Sequence, residues 1–320
     1  MNDFVARPAS AADLPALAAL QRLHGRNHAP QLPQQPHERL WVVEDRASDR
    51  AQPGILASAR LRPAIGLDLP RYWYHVGCTV HAASELRLFH RQRTLLLGND
   101  HTGASELADL AWAEDGVPLA EQAAALRLVV DSALLAMARE RAAYAPQLIA
   151  ELPGPRDAAG QSPFWAGLGR HFYSGDPLHA EGQHGSAWCS HVAALLPRHP
   201  VIVSFLPAAA QAAIAHLAPT ALLLRELLEA SGLRYGHHVG IADGGPVLEA
   251  DLDQLPAVTQ ARVWRVAEEG SGGSTHLVMN AAGVALHCVA AVAGAALLLP
   301  AAARQALGLA PGDSVWATPR

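Results

Sequence analysis

The stretch from Leu119 to Ala143 contains neither glycine nor proline and is rich in alanine and leucine. Such a run predicts one long helix, because these side chains lose little freedom on becoming helical. Strand-like segments flank it, Ser105 to Leu110 before and Gln147 to Leu152 after, the second closed by Pro153-Gly154-Pro155. A helix of this kind must bury its apolar face against a sheet or other helices. Upstream, Phe4 to Arg7 reads as a strand ending at Pro8. Ser10 and Asp13 have capping-box spacing, Leu14, Leu17, Leu20 and Leu23 follow at helical spacing, and Gly25 supplies the stop. After a Pro- and Gln-rich loop, His28 to Pro36, the strands Leu40 to Glu44 and Ile55 to Leu61 are separated by a polar turn, Asp45 to Gly54. Tyr72 to Val80 and Leu95 to Leu97 add two more around the polar His81 to Glu85. Strand, helix, antiparallel strands, long helix and strand together make an α+β fold.

The rest of the chain is less regular. Ser162 caps a short helix with Pro163 in its first turn. A helical block runs from Ala208 to Ala230, broken near Pro219, and Gly244-Gly245-Pro246 turns between two strand-like segments. Glu269 to Ser274 is a Gly/Ser linker, and the tail from Thr275 is a small β-rich unit. The expected division is 1–155, 156–268 and 275–320.

Composition excludes several classes. Hydrophobic residues make up 50% and charged residues 17%, which is globular rather than disordered, and only 5% are aromatic, so small residues must fill much of the core. The net charge of −5 gives no electrostatic footprint for nucleic acid. The sequence contains no lysine, which removes Schiff-base, pyridoxal-phosphate and P-loop chemistry together. Three scattered cysteines, Cys78, Cys189 and Cys288, cannot build a complete disulfide framework and fit a reducing cytoplasm. The N-terminus lacks the pattern of a signal peptide. The longest apolar run, Val289 to Ala303, holds Gly294 and Pro300 and is short of the ~20 residues a membrane span needs.

Specific motifs lie between Tyr72 and Glu106. Tyr74-His75-Val76-Gly77-Cys78-Thr79-Val80-His81, Ser84-Glu85-Leu86, Asn99-Asp100-His101-Thr102-Gly103 and Ser105-Glu106-Leu107 occur in that order. Gln161 to Gly169, Leu196 to Pro200, Gly232 to Tyr235, Asp243 to Pro246, Leu248-Glu249 and Asp251 follow. Their collinear order resembles the arginine N-succinyltransferase family. The resemblance implies an acyl-CoA N-acyltransferase-like fold of the GCN5-related type, in two related halves with a small C-terminal β-rich unit. It implies transfer of succinyl from succinyl-CoA to the α-amino group of L-arginine, with succinyl-CoA as a substrate and no permanently bound cofactor. It also implies a homo- or hetero-oligomer with a related subunit.

Thioester aminolysis needs a held CoA, a deprotonated amine, a stabilised oxyanion and a protonated leaving thiolate. By the resemblance, Leu110 matches a position that contacts succinyl-CoA. Phosphates of such carriers sit on N–H groups where a loop meets a helix N-terminus, which points to Gly116 and Ala120. Where relatives carry Arg and a Gly-x-Gly pattern, this chain reads Val117-Pro118-Leu119-Ala120-Glu121-Gln122, with Glu114 and Asp115 beside it. Where relatives carry a general-acid His before a Pro, it has Ala218, and His216 two residues earlier is the remaining candidate. The stretch from Gly25 to Trp41 is shorter than its counterpart, which bears on the acceptor pocket. A guanidinium acceptor calls for carboxylates, so Glu85, Asp100 and Glu106, with His101, are the acceptor-site candidates. The plainer readings are that Asp100 caps a turn and that Glu106 begins a strand at the surface.

Other constellations are weak. Seventeen histidines include no HExxH, and the adjacent His237 and His238 would fall on opposite strand faces, so no metal site is expected. His75, His81, His101, His184 and His191 could meet only through tertiary structure. No G-x-S-x-G elbow or G-x-G-x-x-G fingerprint occurs, and Cys78 and Cys189 read as small buried residues. The missing glycines and Ala218 leave a second possibility, a non-catalytic or regulatory subunit paired with an active paralogue.

Overall fold

The computed structural model describes residues 4–25, 29–46, 54–185, 187–267 and 272–320. Most of the Asp45–Gly54 turn, the start of the His28–Pro36 loop and half of the Glu269–Ser274 linker fall outside them. The elements begin with β1 (Phe4–Pro8), α1 (Leu14–Leu23), β2 (Arg39–Asp45), β3 (Ile55–Arg62), β4 (Trp73–Ala83) and β5 (Leu88–Gly98). Next come β6 (Ser105–Trp112), α2 (Leu119–Arg139), β7 (Gln147–Glu151), α3 (Pro163–Gly167), α4 (Pro177–His184), α5 (Ala187–Ala193) and β8 (Val201–Ile202). α6 (Ala208–Ala213), α7 (Leu222–Ala230), β9 (Arg234–Gly240), β10 (Pro246–Asp251) and α8 (Pro256–Thr259) follow. The chain ends with β11 (Arg262–Ala267), β12 (Ser274–Met279), β13 (Ala285–Ala293), β14 (Ala296–Leu298), α9 (Ala301–Leu307) and β15 (Ser314–Pro319).

Strands pair in the order β1-β2-β3-β6-β7-β10-β9-β4-β5-β8 within one sheet. β7 and β10 are hydrogen-bonded neighbours, with Leu248 opposite Ala150 and Glu249 opposite Ile149. The sheet therefore runs on across residue 155, where the sequence sets the boundary between two halves. The β4–β5 hairpin, expected from sequence as two short strands, pairs over its whole length from Trp73–Gly98 to Ala83–Leu88. Beyond the sheet, β12, β15, β11, β14 and β13 close into a ring, linked to β1 through Ala6 and Ala285. Arg262–Ala267 belongs to this ring by its bonds to β14 and β15, so the β-rich unit begins earlier than residue 275.

α2 explains the alanine content. Ala125, Leu126, Val129, Val130, Ala133, Leu134 and Met137 are buried in one cluster with sheet residues Leu107 and Leu148. Leu224 and Leu228 of α7 and Leu277 and Met279 of the ring join the same cluster. A helix approached from several sides needs small side chains where neighbours come closest, and each buried Leu or Val contributes ~1.5–3 kcal/mol. A second cluster forms where Phe164, Trp165, Trp188 and Ile214 cover Tyr74, Leu95 and Val239. The apolar run Val289–Ala303 is divided among β13, β14 and the start of α9. Among the described residues no helix is long and apolar enough to cross a membrane.

Candidate active site

β6 carries one of the irregularities of the sheet. Its partner β3 matches Ser58 to Ala111 and Arg60 to Ala108, so Asp109 and Leu110 together face the single Ala59. This is a bulge, and Asp109 takes the positive φ of 51° that the extra residue requires. On its other side β6 runs parallel to β7 only at Ser105–Leu148 and Glu106–Ile149. Past Glu106 the two strands part, and among the described residues the main chain of β6 there meets no strand on the β7 side. A bulge beside parting strands leaves backbone N–H and C=O groups facing a slot, and such groups must find partners there.

Charge clamps hold this shape. Asp109 is buried, and its Oδ2 accepts from Arg60 Nε at 2.5 Å while Arg60 Nη1 donates to Glu38 Oε1 at 2.6 Å. Ser58 Oγ donates to the Asp109 carbonyl at 3.1 Å. The strained residue is thus pinned by a cation threaded between two carboxylates. Leu110 turns its side chain into the α2 core, where it is 4% exposed, so only its main chain faces the slot.

On the opposite face of the sheet from α2 lies a second clamp. Arg62 Nη1 and Arg71 Nη2 reach the two oxygens of Glu106 at 2.6 and 2.8 Å. Burial pushes the Glu106 carboxyl up, but the two guanidinium groups overcome it and hold the pKa at about 2. The sequence suggests an acceptor ligand or a surface residue at Glu106. It is buried rather than at the surface, and its two oxygens are held by Arg62 and Arg71. Its neighbour Glu151 ends β7 where the strands part. Arg71 Nη2 and Trp73 Nε1 hold Glu151 Oε1 at 2.5 and 2.7 Å, and its side chain is 37% exposed. Burial raises the Glu151 pKa against the pull of Arg71, and the charge on Glu106 adds to the rise. Sequence reasoning misses this residue; its place at the end of a strand before Pro153 is the available signal.

The entrance to α2 lies at the same end of the sheet, since β6 leads into it. Pro118 is the N-cap residue and no side chain caps the helix. Gln122 Nε2 instead donates to the carbonyls of Glu114 and Val117, at 3.2 and 2.8 Å, and ties the loop down. Gly116 takes φ +71°, a β-carbon there would meet nothing within 4 Å, and Gly116 and Ala120 are both exposed. Within the first turn the Glu121 N–H already donates to the Pro118 carbonyl at 2.8 Å, which leaves the N–H groups of Leu119 and Ala120 for an anion.

The segment between α6 and the next helical turn docks at this end too. Ala215 N–H donates to the Gly244 carbonyl and Ala218 N–H to the Pro153 carbonyl, at 2.8 and 2.9 Å. α6 stops at Ala213 and Ala215 has φ +62°, so the chain before Pro219 is unwound, earlier than the break expected from Pro219 alone. His216 is exposed on this segment, with Nδ1 3.2 Å from the Ile214 carbonyl.

The two remaining acceptor candidates converge with two residues that the sequence does not single out. His101 is 1% exposed, with its ring 4.4 Å from that of His238 and edge-on to Trp73 at 4.9 Å. Asp100 Oδ2 lies 3.1 Å from His238 Nε2, and Glu249 Oε1 lies 2.9 Å from His238 Nδ1. Burial and the neighbouring His238 push His101 down, whereas Glu249 and Asp100 outweigh burial and push His238 up. His101, His238 and Glu249 place three metal-ligand atoms within 4.8 Å of one another, which sequence spacing could not reveal. His237 and His238 do part, because His237 sits at φ +63° in the β9–β10 bulge. Glu85 does not join the site. It is exposed in the turn at the tip of the β4–β5 hairpin, ten residues from His75 and so roughly 30 Å away along the strand. Cys78 is also exposed on this hairpin rather than buried.

Comparison with known proteins identifies the family. The profile of the family described as arginine N-succinyltransferase beta subunit matches residues 29–257. The arginine N-succinyltransferases of Salmonella paratyphi B and Salmonella newport are each 36% identical over 242 residues, covering 74% of this chain and 67% of theirs. The solved structure of arginine/ornithine succinyltransferase subunit AI from Pseudomonas aeruginosa matches with a TM-score of 0.81 at 26% identity, covering 100% of this chain and 99% of that one. With most of its length matched in sequence and all of it in fold, the chain belongs to the arginine N-succinyltransferase family of acyltransferases.

Proposed function

We propose that the protein transfers succinyl from succinyl-CoA to the α-amino group of L-arginine by direct attack of the amine on the thioester. The observation that carries this reading is the slot between β6 and β7, with the Asp109–Leu110 bulge on one wall and the uncapped start of α2 at its end. The strand order β1-β2-β3-β6-β7-β10-β9 with a parted central parallel pair supports an acyl-CoA N-acyltransferase-like fold of the GCN5-related type. Pantetheine would lie in the slot against the Leu110 main chain. The carrier's phosphates would rest on N–H groups around Gly116 and Ala120.

In this reading Glu151 takes a proton from the α-ammonium group, the amine nitrogen bonds to the thioester carbon, and the carbon–sulfur bond breaks. The departing thiolate takes a proton from His216, the imidazole that stands where the chain is unwound before Pro219. Bulge N–H groups stabilise the oxyanion. Asp100 and Glu249, on the same sheet face as Glu151, supply carboxylate charge for the acceptor. Exposed Val80, Leu86 and Phe89 on the outer hairpin support assembly with a second subunit, and three free cysteines fit a cytoplasmic setting. A non-catalytic role is not favoured, since the matched relatives carry the transferase name.

Purified protein mixed with succinyl-CoA and L-arginine should release free thiol and yield succinylarginine by mass spectrometry. Absence of both, with folded protein, overturns the proposal.

A further inference from the structure

His101 presents a difficulty that acyl transfer does not resolve. It is 1% exposed, yet neither ring nitrogen has a hydrogen-bond partner. The Gln147 amide is close enough to favour the charged imidazole, but its Nε2 donates to Glu249 Oε2 and leaves the ring unbonded. Burying an unpartnered polar group costs ~1–3 kcal/mol, and native structures keep few of them. The Nε2 of His101 lies 3.6 Å from Glu249 Oε1, too far for a hydrogen bond. The same oxygen lies 2.9 Å from His238 Nδ1. Two ligand atoms on one tetrahedral ion with bonds of ~2.0–2.2 Å stand roughly 3.3 Å apart, and these two separations bracket that figure.

The surroundings are built in the same sense. The second ring nitrogen of His238 is held by Asp100 Oδ2 at 3.1 Å, and the second oxygen of Glu249 accepts from Gln147 Nε2 at 3.0 Å. Outer partners of this kind fix the orientation of ligating imidazoles and carboxylates. Gly236 makes the room, since a β-carbon there would collide with Glu249 Oε1. Side-chain exposure rises from His101 at 1% to His238 at 12%, Glu249 at 22% and Asp100 at 58%, so the group reaches from the interior to the surface.

We propose that His101, His238 and Glu249 bind one divalent transition-metal ion of the zinc class, through His101 Nε2, His238 Nδ1 and Glu249 Oε1. Two imidazoles and a carboxylate are a donor set that suits zinc and its neighbours and leaves a fourth position for water. Binding releases to solvent the proton that His238 Nδ1 holds towards Glu249 Oε1 and the Gly236 carbonyl, 2.9 and 3.0 Å away, and His238 Nε2–H then donates to Asp100. The site shares Glu249 and Asp100 with the transfer reading, which gives them to the acceptor, but metal retention is measured without succinyl-CoA or arginine, so the two readings fail separately.

The test uses untagged full-length protein, stripped with chelator, exposed to Zn²⁺ and dialysed. Elemental analysis should find one retained equivalent, and Co²⁺ in its place should give the visible bands of a four- or five-coordinate ion that excess Zn²⁺ abolishes. His101→Ala and Glu249→Gln should each weaken binding at least tenfold, while His199→Ala on the surface should not. Retention below one equivalent by the wild-type protein overturns the proposal without any variant. So does Co²⁺ binding that survives undiminished in folded His101→Ala and Glu249→Gln proteins.

Discussion

Two charged networks share the sheet face opposite α2, and they are neutralised by different cations. Around β6, every carboxylate is met by arginine: Asp109 and Glu38 by Arg60, Glu106 by Arg62 and Arg71. Two strands away, Glu249 and Asp100 are met by His238, with His101 left over. Arginine stays charged at every relevant pH and its fork matches carboxylate geometry, so the first network is closed and permanent. Imidazole can lose its proton and accept another ligand, so the second is open to exchange. The difference separates a frame that fixes backbone shape from a group that is free to do chemistry. Glu151 stands at their border, clamped by Arg71 yet a third exposed and pushed towards its neutral form.

The border position gives the largest expected effect. Glu151→Gln should keep the hydrogen bonds of a carboxamide but lose the base, lowering kcat/KM by roughly 10²–10⁴-fold. An unchanged kcat/KM for arginine would move the base elsewhere, the histidine group being the next place to look. Within the closed network, Arg60→Ala leaves Asp109 and Glu38 buried without a counter-charge. Removing one member of such a pair costs ~3–5 kcal/mol, measurable as a lower urea midpoint with unchanged slope. A loss below 1 kcal/mol, on the order of a surface pair, would mean that arginine is not what holds the bulge.

Local patterns make most of the fold legible. The Ser10–Asp13 capping box, the Gly25 stop, α2 and the Ser162–Pro163 helix start are all visible because each depends on neighbours in sequence. The sheet order is not, because the pairing of β7 with β10 joins residues about a hundred positions apart and has no local signature. The same limit governs the site. Leu110, Gly116 and Ala120, proposed to hold the carrier, lie along one strand–loop–helix, so sequence alone can nominate them. Glu106 misleads because its role depends on Arg62 and Arg71, one strand and one loop away. His238 and Glu249 look like half of an adjacent-histidine pair and a motif residue, since only the β9–β10 bulge turns them towards His101.

Acid should distinguish the networks next. Glu106 has a folded pKa depressed from 4.5 to about 2, so its contribution is fully present above pH 4.5 and is lost as pH falls towards 2. That contribution is on the order of 3 kcal/mol. Glu151 is raised rather than depressed, so its own linkage runs the other way, and protonating it as pH falls partly offsets the loss. Urea unfolding of Glu151→Gln between pH 5 and about 2 should therefore show the Glu106 limb more steeply than wild type. The limb should shrink by the Glu106 share in Glu106→Gln, leaving what depressed carboxylates such as Asp13 beside Arg7 contribute, and a limb of unchanged size would assign the acid sensitivity to those carboxylates alone.

The smallest expected change is the sharpest test of the open network. His101→Leu removes an imidazole whose nitrogens have no hydrogen-bond partner and replaces it with an apolar group of similar size. In chelator-stripped protein the loss of packing against Trp73 and the relief of an unsatisfied polar group should nearly cancel, leaving a change within about 1 kcal/mol. Arg60→Ala, equally buried, should cost several times more, because there the partners remain charged. Added Zn²⁺ then separates the variants. At a hundredfold excess over the dissociation constant it should stabilise wild type by ~2.7 kcal/mol and leave His101→Leu unmoved. Equal response by both proteins would show that the ion binds elsewhere, and a large loss on His101→Leu without metal would show that the imidazole already has a partner, such as a buried water.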